Sequence, residues 1–256
     1  CGFAVKFNRA TFFFTPGVPS ELKKMTDDEI LPRLRRQLGQ NGHSQVRRFF
    51  LFGLSESGLS DRLDHLPWPT GITLGYRANS PTIELKLIIE TDDATAIAAA
   101  ETMLLAEVGT HLVARDEMNF TASLGPLLHN KDLVIFEDAS GGRLTDTIST
   151  ITAEFEGHYL AGLPDCAEDL AHWLTRSARP LTLAIGAEGP QGIPIALRSD
   201  QGCQVQTLQM HFRDPLNRRR LLAFAAFDML RRHLASEAVM VDYDILPCSE
   251  RFTLTA

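Results

Sequence analysis

The sequence predicts an α/β protein in which a small α+β module precedes a larger α/β domain. Two patterns support this prediction. Between residues 45 and 109, apolar segments of strand and helix type follow one another in the order βαββα, and from residue 120 helical and strand patterns alternate. With 256 residues, 44% of them hydrophobic, the chain is long enough to form more than one core.

The sequence of the first 44 residues predicts a β-hairpin followed by a helix and a linker. Its predicted elements are strands at 2–8 and 10–15, a helix at 20–38 and a linker at 40–44. We expect Ser20 to cap the helix and Gly39 to end it, because small polar residues and glycine favour those two positions. Pro32 predicts a kink or two shorter helices, since proline cannot donate a backbone hydrogen bond.

The middle part supplies the α+β module. Its predicted elements are a strand at 45–53, a helix at 55–64, strands at 71–77 and 82–90 joined by a turn at 79–81, and a helix at 92–109. This order resembles the KH-type RNA-binding module, which needs a G-x-x-G loop between two helices, and this part of the sequence has none. We therefore interpret Arg47, Arg48, Arg62 and Arg77 as a solvated face and expect no nucleic-acid partner.

The last part alternates helices and strands. Its predicted elements are helices at 120–129, 141–151 and 164–177, strands at 133–136, 181–185, 193–198 and 205–212, and a long final helix. Asp214 and Pro215 begin that helix as N-cap and first helical residue. Its predicted buried stripe is Leu216, Phe227, Leu230 and Leu234. Residues 238–246 and 251–256 are predicted to be extended segments that pack on a sheet edge or a partner chain.

Charge is distributed unevenly along the chain. Residues 1–115 hold 13 Lys/Arg and 13 Asp/Glu, whereas residues 116–256 hold 12 and 19, so the later part carries the whole net charge of −7. A negative field repels nucleic acids and nucleotide phosphates unless nearby arginines override it.

Cysteines and apolar runs exclude several classes of protein. Cys1, Cys166, Cys203 and Cys248 form no C-x-x-C pair, so we predict separate thiols, no metal site and no cofactor. No apolar run approaches the roughly 18 residues that a membrane span needs, and the first residues lack a signal pattern. We therefore expect no membrane partner and a cytoplasmic location.

Residues 132–151 have the form of an anion-binding site. An apolar strand is followed by small residues, by Gly141 and Gly142, and then by a helical pattern whose first N–H groups could hold a phosphate. Glu137 and Asp138 stand where that anion would lie. No lysine follows Lys131, so this part of the chain cannot supply an ammonium base.

The segment E-D-A-S-G-G at 137–142 resembles the E-S-C-T-G-G signature of the CinA (competence/damage-inducible) family, whose C-terminal domain is a nicotinamide mononucleotide amidohydrolase. Three further segments resemble family motifs, namely P-G-V-P-S-E-L-K-K-M (16–25), F-G-L-S-E-S-G-L-S-D-R-L (52–63) and I-G-A-E-G-P-Q-G (185–192). The resemblance implies three domains: the end of a molybdopterin-binding-like domain (1–40), a KH-like middle domain (41–115) and a CinA C-terminal α/β sandwich domain (116–256). It also implies that the chain is an N-terminally truncated fragment.

The resemblance further implies a lost catalytic centre. The family's nucleophilic serine corresponds to Asp138, Ile185 replaces a threonine, and the region of the family's base lysine, 155–166, is shortened and lacks lysine. We interpret Asp138 first as a helix cap, with a nucleophile or base as the alternative. A relocated triad, in which Ser140 is activated by His158 or His172, is a further alternative.

The leading hypothesis is a CinA-like pseudoenzyme that serves as a scaffold, a homodimerisation domain or a non-hydrolytic binding domain. The residues expected to bind a nucleotide or phosphate ligand weakly are Gly141, Gly142, Gly186, Gly189, Arg218, Arg219 and Arg220. The three arginines could instead be a solvated charge cluster. The rival hypothesis is an active enzyme of pyridine-nucleotide metabolism. Its chemistry would come from relocated residues or from an N-terminal ADP-ribose pyrophosphatase domain outside this chain.

Overall fold

The computed structural model describes residues 2–38, 44–176 and 179–255. The chain divides into two compact units, Cys1–Gln45 and Val46–Ala256. The boundary predicted at residue 115 lies inside the second unit, and the three-domain division stays a prediction. Within the described ranges no helix has the length and apolarity to cross a bilayer. The cytoplasmic location also stays a prediction.

The first unit is a hairpin followed by two short helices. Strands β1 (Phe3–Phe7) and β2 (Ala10–Phe14) pair antiparallel, and α1 (Pro19–Met25) and α2 (Leu31–Leu38) flank a π-helical turn, Thr26–Ile30. The interruption predicted from Pro32 is confirmed.

Two details of this first unit differ from the predictions or lie beyond them. The predicted cap at Ser20 is wrong, because Val18 is the N-cap and Pro19, which has no N–H to satisfy, begins the helix. Gly39 and most of the predicted linker, residues 40–43, lie outside the described residues.

The second unit begins with the predicted βαββα order. Its elements are β3 (Gln45–Phe52), α3 (Glu56–Leu63), β4 (Ile72–Asn79), β5 (Thr82–Ile89) and α4 (Ala94–Val108). Ser55 and Asp93 cap the two helices through their side-chain oxygens. A four-residue strand that the sequence did not predict, β6 (Leu112–Arg115), pairs antiparallel with β3, so the sheet has the order β4-β5-β3-β6.

The remaining residues build a layered α/β structure around a six-stranded sheet. Its strands are β7 (Leu133–Glu137), β8 (Phe155–Tyr159), β9 (Leu181–Ile185), β10 (Ile193–Ser199), β11 (Gly202–Leu208) and β12 (Cys248–Leu254). The strand order is β12-β11-β10-β9-β7-β8. Strand β7 runs parallel to its neighbours β8 and β9, and the other neighbouring pairs are antiparallel.

Three segments, β8, β12 and residues 238–246, can be compared with the elements predicted from the sequence. Strand β8 was not predicted, because four of its five residues are exposed and it lacks an apolar alternation. Strand β12 confirms that the last residues pack on a sheet edge. Residues 238–246 form a loop with one isolated bridge between Tyr243 and Leu246, so the extended segment predicted there is wrong.

Helices cover both faces of this sheet. Their bounds are α5 (Phe120–Leu128), α6 (Arg143–Ser149), α7 (Ala167–Leu174) and α8 (Pro215–Leu234). Helix α7 packs on one face, whereas α8 lies in the large core on the other. Asp214 caps α8 as predicted.

The predicted buried stripe of α8 is only half right. Phe227 and Leu230 are fully buried, but Leu216 is 59% exposed and Leu234 is half-buried. All residues from Leu221 to Arg232 are buried, since the sheet, α6 and side chains such as Phe52 surround the helix.

Candidate functional site

The candidate site lies at the carboxyl ends of the parallel strands β7 and β9. Loops leave the sheet there at residues 138–142 and 186–192, and open α/β sheets bind ligands in such positions. The two loops are joined by backbone hydrogen bonds from Asp138 N to the Ile185 carbonyl (2.9 Å) and from Ala139 N to the Gly186 carbonyl (3.3 Å).

Glu137 is the anion that occupies the N-terminus of α6. Its fully buried carboxylate accepts hydrogen bonds from Leu144 N (3.0 Å) and Thr145 N (2.9 Å), and the Ser140 hydroxyl donates to it at 2.6 Å. A carboxylate is stabilised by the positive end of a helix dipole. The helix N–H groups that the sequence suggested for an external phosphate are therefore used inside the protein.

Asp138 does not cap the helix, contrary to the first interpretation. The N-cap of α6 is Gly142, with φ of 88°, and the Asp138 carboxylate accepts hydrogen bonds from Gly162 N (2.6 Å) and Leu163 N (3.2 Å). Because Glu137 and Asp138 are consecutive, their side chains point to opposite sides of the strand end. The carboxylate of Asp138 therefore holds the loop that follows β8.

The relocated triad gains no support from the geometry. Ser140 is fully buried and donates to Glu137. The His158 ring stacks on Phe136 with centroids 5.2 Å apart, and the His172 Nε2 lies 3.9 Å from Glu168. Within the described part of the chain, neither imidazole forms a hydrogen bond with Ser140.

The three arginines that were predicted to bind the ligand have different surroundings in the structure. The Arg219 guanidinium lies against Gly141, where an added Cβ would be 3.1 Å from Arg219 Cζ. Arg218 Nη2 forms an ion pair with Glu188 Oε1 at 2.5 Å. Arg220 lines a cleft of about 470 Å³ between α6 and α8. Only Arg219 therefore lies on the glycine turn.

The glycines of the site are required for different structural reasons, either a close backbone contact or a positive φ angle. A Cβ at Gly186 would lie 2.3 Å from the Pro164 carbonyl oxygen, and one at Gly189 would lie 2.4 Å from the Asp165 carbonyl oxygen. Packing of two loops therefore explains these two glycines without a ligand. Gly142 faces open space, and its φ of 88° favours glycine.

The structure offers no obvious centre for metal or thiol chemistry. Among residues 2–38, 44–176 and 179–255, no cluster of His, Cys, Asp and Glu could hold a metal ion. Cys166, Cys203 and Cys248 are free thiols. Burial raises the pKa of Cys203 to about 11, so this thiol stays protonated and unreactive near neutral pH.

Comparison with known proteins gives the family. The chain is 30% identical to a CinA-like protein of Shewanella halifaxensis and 32% identical to one of Shewanella baltica. It is 31% identical to the nicotinamide-nucleotide amidohydrolase PncC of Shewanella oneidensis. Each match covers 95% of this chain and 66% of the relative. The chain belongs to the CinA family. This confirms the resemblance inferred from the motifs, although no family model matches the chain.

This CinA-family chain is shorter than the region it matches. It spans about two-thirds of its curated relatives, and the alignment with the Shewanella halifaxensis protein runs over 284 positions, more than the 256 residues of the chain. The relatives therefore contain segments that this chain lacks.

Sequence reasoning missed several partners in the site of this CinA-family chain. It did not identify Glu137 as the anion at α6, Glu188 as the partner of Arg218, or Gly162 and Leu163 as donors to Asp138. The one available signal was that Glu137 lies four residues before the predicted helix at 141–151. The other contacts join residues 24 or more positions apart, for which no local pattern exists.

Proposed function

We propose that residues 116–256 bind a nicotinamide nucleotide or a related phosphate ligand weakly, do not hydrolyse its amide, and act as a scaffold that brings two chains together. The observation that carries this proposal is the role of Asp138. The residue stands where the family resemblance expects the nucleophilic serine, and its carboxylate accepts two backbone hydrogen bonds from the loop after β8. The Asp138 carboxylate therefore stabilises this loop, and we assign it a structural role instead of a role in attacking a substrate.

The absence of the family's base lysine from this part of the sequence supports the same proposal. An alkyl hydroxyl is a poor nucleophile unless a neighbouring group accepts its proton. No lysine follows Lys131, and the hydroxyl of Ser140 is buried against Glu137. Removing a nucleophile or its base lowers turnover by several orders of magnitude.

Weak ligand binding follows from the charges around the turn. Gly142 offers accessible backbone, and Arg219 beside Gly141 can contact a phosphate. Asp138 precedes the turn and Glu188 lies in the neighbouring loop at 186–192, and both carboxylates oppose an anion. Arg218 is already paired with Glu188. A single available arginine near two carboxylates favours low affinity.

A second candidate function is amide hydrolysis by this chain, because the 31%-identical relative from Shewanella oneidensis is named a nicotinamide-nucleotide amidohydrolase. It would require Ser140 to leave Glu137 and gain a base. A third source of activity, pyrophosphatase chemistry by an N-terminal domain outside this chain, is implied only by the family resemblance.

The first prediction is that the chain releases no ammonia from nicotinamide mononucleotide above background. The Shewanella oneidensis amidohydrolase serves as the positive control, and ammonia is measured by a coupled enzymatic assay. The Ser140→Ala variant should give the same background, because Ser140 is a buried structural donor. Measurable turnover that Ser140→Ala abolishes would establish the relocated site and overturn the proposal.

A further inference from the structure

Strand β8 leaves one side of the six-stranded sheet open. It is the outermost strand, it pairs only with β7, and residues 156–159 are exposed. The backbone N–H of Leu160 donates to the Glu137 carbonyl at 3.1 Å. In a parallel ladder, alternate residues direct both backbone groups to the same neighbour. Residues 156, 158 and 160 therefore face β7, and Phe155, Gly157 and Tyr159 direct their N–H and C=O groups outward.

These outward backbone groups have no partner within the described residues, and β8 lacks several of the usual protections of an edge strand. Sheet edges are commonly blocked by proline, lysine or a bulge. Strand β8, F-E-G-H-Y, contains none of these. Strand β8 is therefore an edge that can accept another strand.

The side chains on the two sides of Gly157 in β8 are complementary in type. Reading outward from Gly157, the flanking residues are Glu156 and His158, then Phe155 and Tyr159. If two copies of β8 pair antiparallel with Gly157 opposite Gly157, each glutamate faces the histidine of the other copy, in addition to the ion pair that Glu156 Oε1 forms with Arg179 Nη2 of its own chain (2.6 Å). Each phenylalanine then faces a tyrosine. Opposite charges and aromatic pairs placed directly across two strands stabilise a sheet.

The backbone favours the same register. In an antiparallel pair, residues that exchange both hydrogen bonds alternate with residues that exchange none. With Gly157 at the centre, Phe155, Gly157 and Tyr159 occupy the exchanging positions, which gives about six hydrogen bonds between the copies. The neighbouring registers that also keep outward residues opposite each other place Glu156 on Glu156 or His158 on His158. Like charges destabilise the first of these, and protonated imidazoles destabilise the second.

We propose that two copies of this chain associate through β8, paired antiparallel about Gly157, so that their six-stranded sheets join into one. The occupant of the edge is a second copy because the strand complements itself in charge, in aromatic side chains and in backbone groups. This inference rests on the scaffold part of the proposed function and specifies its interface. It is independent of ligand binding and of turnover.

The test uses charge variants of the whole chain and sedimentation equilibrium at micromolar concentration. The wild-type chain should be a dimer. The His158→Glu variant places carboxylates opposite each other at both positions, and a second variant, Glu156→Lys with His158→Lys, places lysines opposite each other. Each variant alone should dimerise roughly tenfold more weakly or worse. An equal mixture should recover a mixed dimer, because every carboxylate then faces a lysine.

The matched control is His172→Glu, which introduces the same charge at an exposed histidine of α7. This control should dimerise as the wild type does. A monomeric wild type, unchanged dimerisation of His158→Glu, or a mixture without mixed dimers would each overturn the β8 interface. None of these outcomes changes the result of the ammonia assay, so failure of the interface and failure of the pseudoenzyme proposal are distinguishable.

Discussion

Three polar residues at the end of β7 have three different partners, and these partners determine what the site can do. Glu137 accepts from the first turn of α6, Asp138 accepts from the loop after β8, and Ser140 donates to Glu137. Protein groups thus satisfy the carboxylates and the hydroxyl. Within the described residues Arg219 forms no ion pair, so this guanidinium is the group best placed to contact an anionic ligand at the Gly141 turn.

We predict that Arg219→Gln weakens the binding of nicotinamide mononucleotide by roughly tenfold, since hydrogen bonds to charged groups contribute about 1.5–3 kcal/mol. Asp138→Asn should strengthen binding, because it removes a repelling charge and keeps an oxygen that can accept from Gly162. Titration calorimetry measures both effects, and Arg77→Gln, an exposed arginine of β4, is the control. Tight wild-type binding that Arg219→Gln leaves unchanged would show that the ligand binds elsewhere.

Helix α8 contains a buried ion cluster. Its Asp228 carboxylate accepts from Arg231 Nε (2.8 Å), Arg232 Nε (2.8 Å) and the Tyr243 hydroxyl (2.9 Å). The spacing i, i+3 and i+4 brings both arginines to one carboxylate. Burial, reinforced by Asp228, raises the pKa of Tyr243 well above its usual value, so the phenol stays protonated and remains a donor. Arg232 also donates to the Thr110 carbonyl, which ties the cluster to the segment before β6.

We predict that Asp228→Asn lowers the free energy of unfolding by about 3–5 kcal/mol, because it leaves two buried guanidinium groups with only the exposed Glu237 carboxylate, 3.3 and 3.5 Å away, as a counter-charge. The control is Asp146→Asn. Its pair with Arg143 is solvent-exposed, and such pairs contribute at most about 1 kcal/mol. Urea unfolding followed by circular dichroism measures both variants. Equal stability of the two variants would mean that the buried arginines find other partners or water.

Across the second unit, the small sheet and the large sheet share contacts through α8 and the loop at residues 238–246. Phe52 packs against Phe224 (4.7 Å between centroids) and Tyr243 (5.0 Å), and Arg62 binds both carboxylate oxygens of Asp244. Buried His111 has its Nδ1 3.1 Å from the Phe52 carbonyl oxygen. These contacts make residues 46–256 one compact unit and place a titratable group inside it.

We predict that the stability of this unit falls as the pH drops below about 6.5. Burial lowers the pKa of His111, with Arg62 and Arg232 adding to the effect and the Phe52 carbonyl and Asp244 opposing it. A histidine whose pKa is lower in the folded state contributes its full stabilisation above the unfolded pKa. It loses that contribution as the pH falls toward the folded pKa.

Urea unfolding at about pH 7.5 and about pH 5.5 tests this linkage. The wild-type chain should lose more stability between the two values than His111→Asn, which cannot take up the proton. His211→Asn replaces an exposed histidine and should behave like the wild type. If His111→Asn and the wild type lose equal stability, other groups dominate the acid response.

The sequence by itself determined the features that depend on neighbouring residues or on composition. Helix starts at Ser55 and at Asp214-Pro215, the hairpin turn before Thr82, and the βαββα order follow from local preferences that act within a few positions. The family resemblance and the lack of lysine after Lys131 are likewise properties of the sequence. These features suffice for the fold class and for the hypothesis of lost catalysis.

Only the tertiary structure decided which distant residues meet. Strand β8 is an exposed edge, so apolar periodicity could not reveal it, and its hydrogen bonds to β7 alone define it as a strand. Asp138 resembled a helix cap because it precedes a helix, yet its donors lie 24 and 25 residues away. The buried stripe predicted for α8 left out Asp228, Arg231 and Arg232, which are polar but buried. They can be buried because Asp228 and the nearby Glu237 together neutralise the two arginines, and packing creates this compensation between charges.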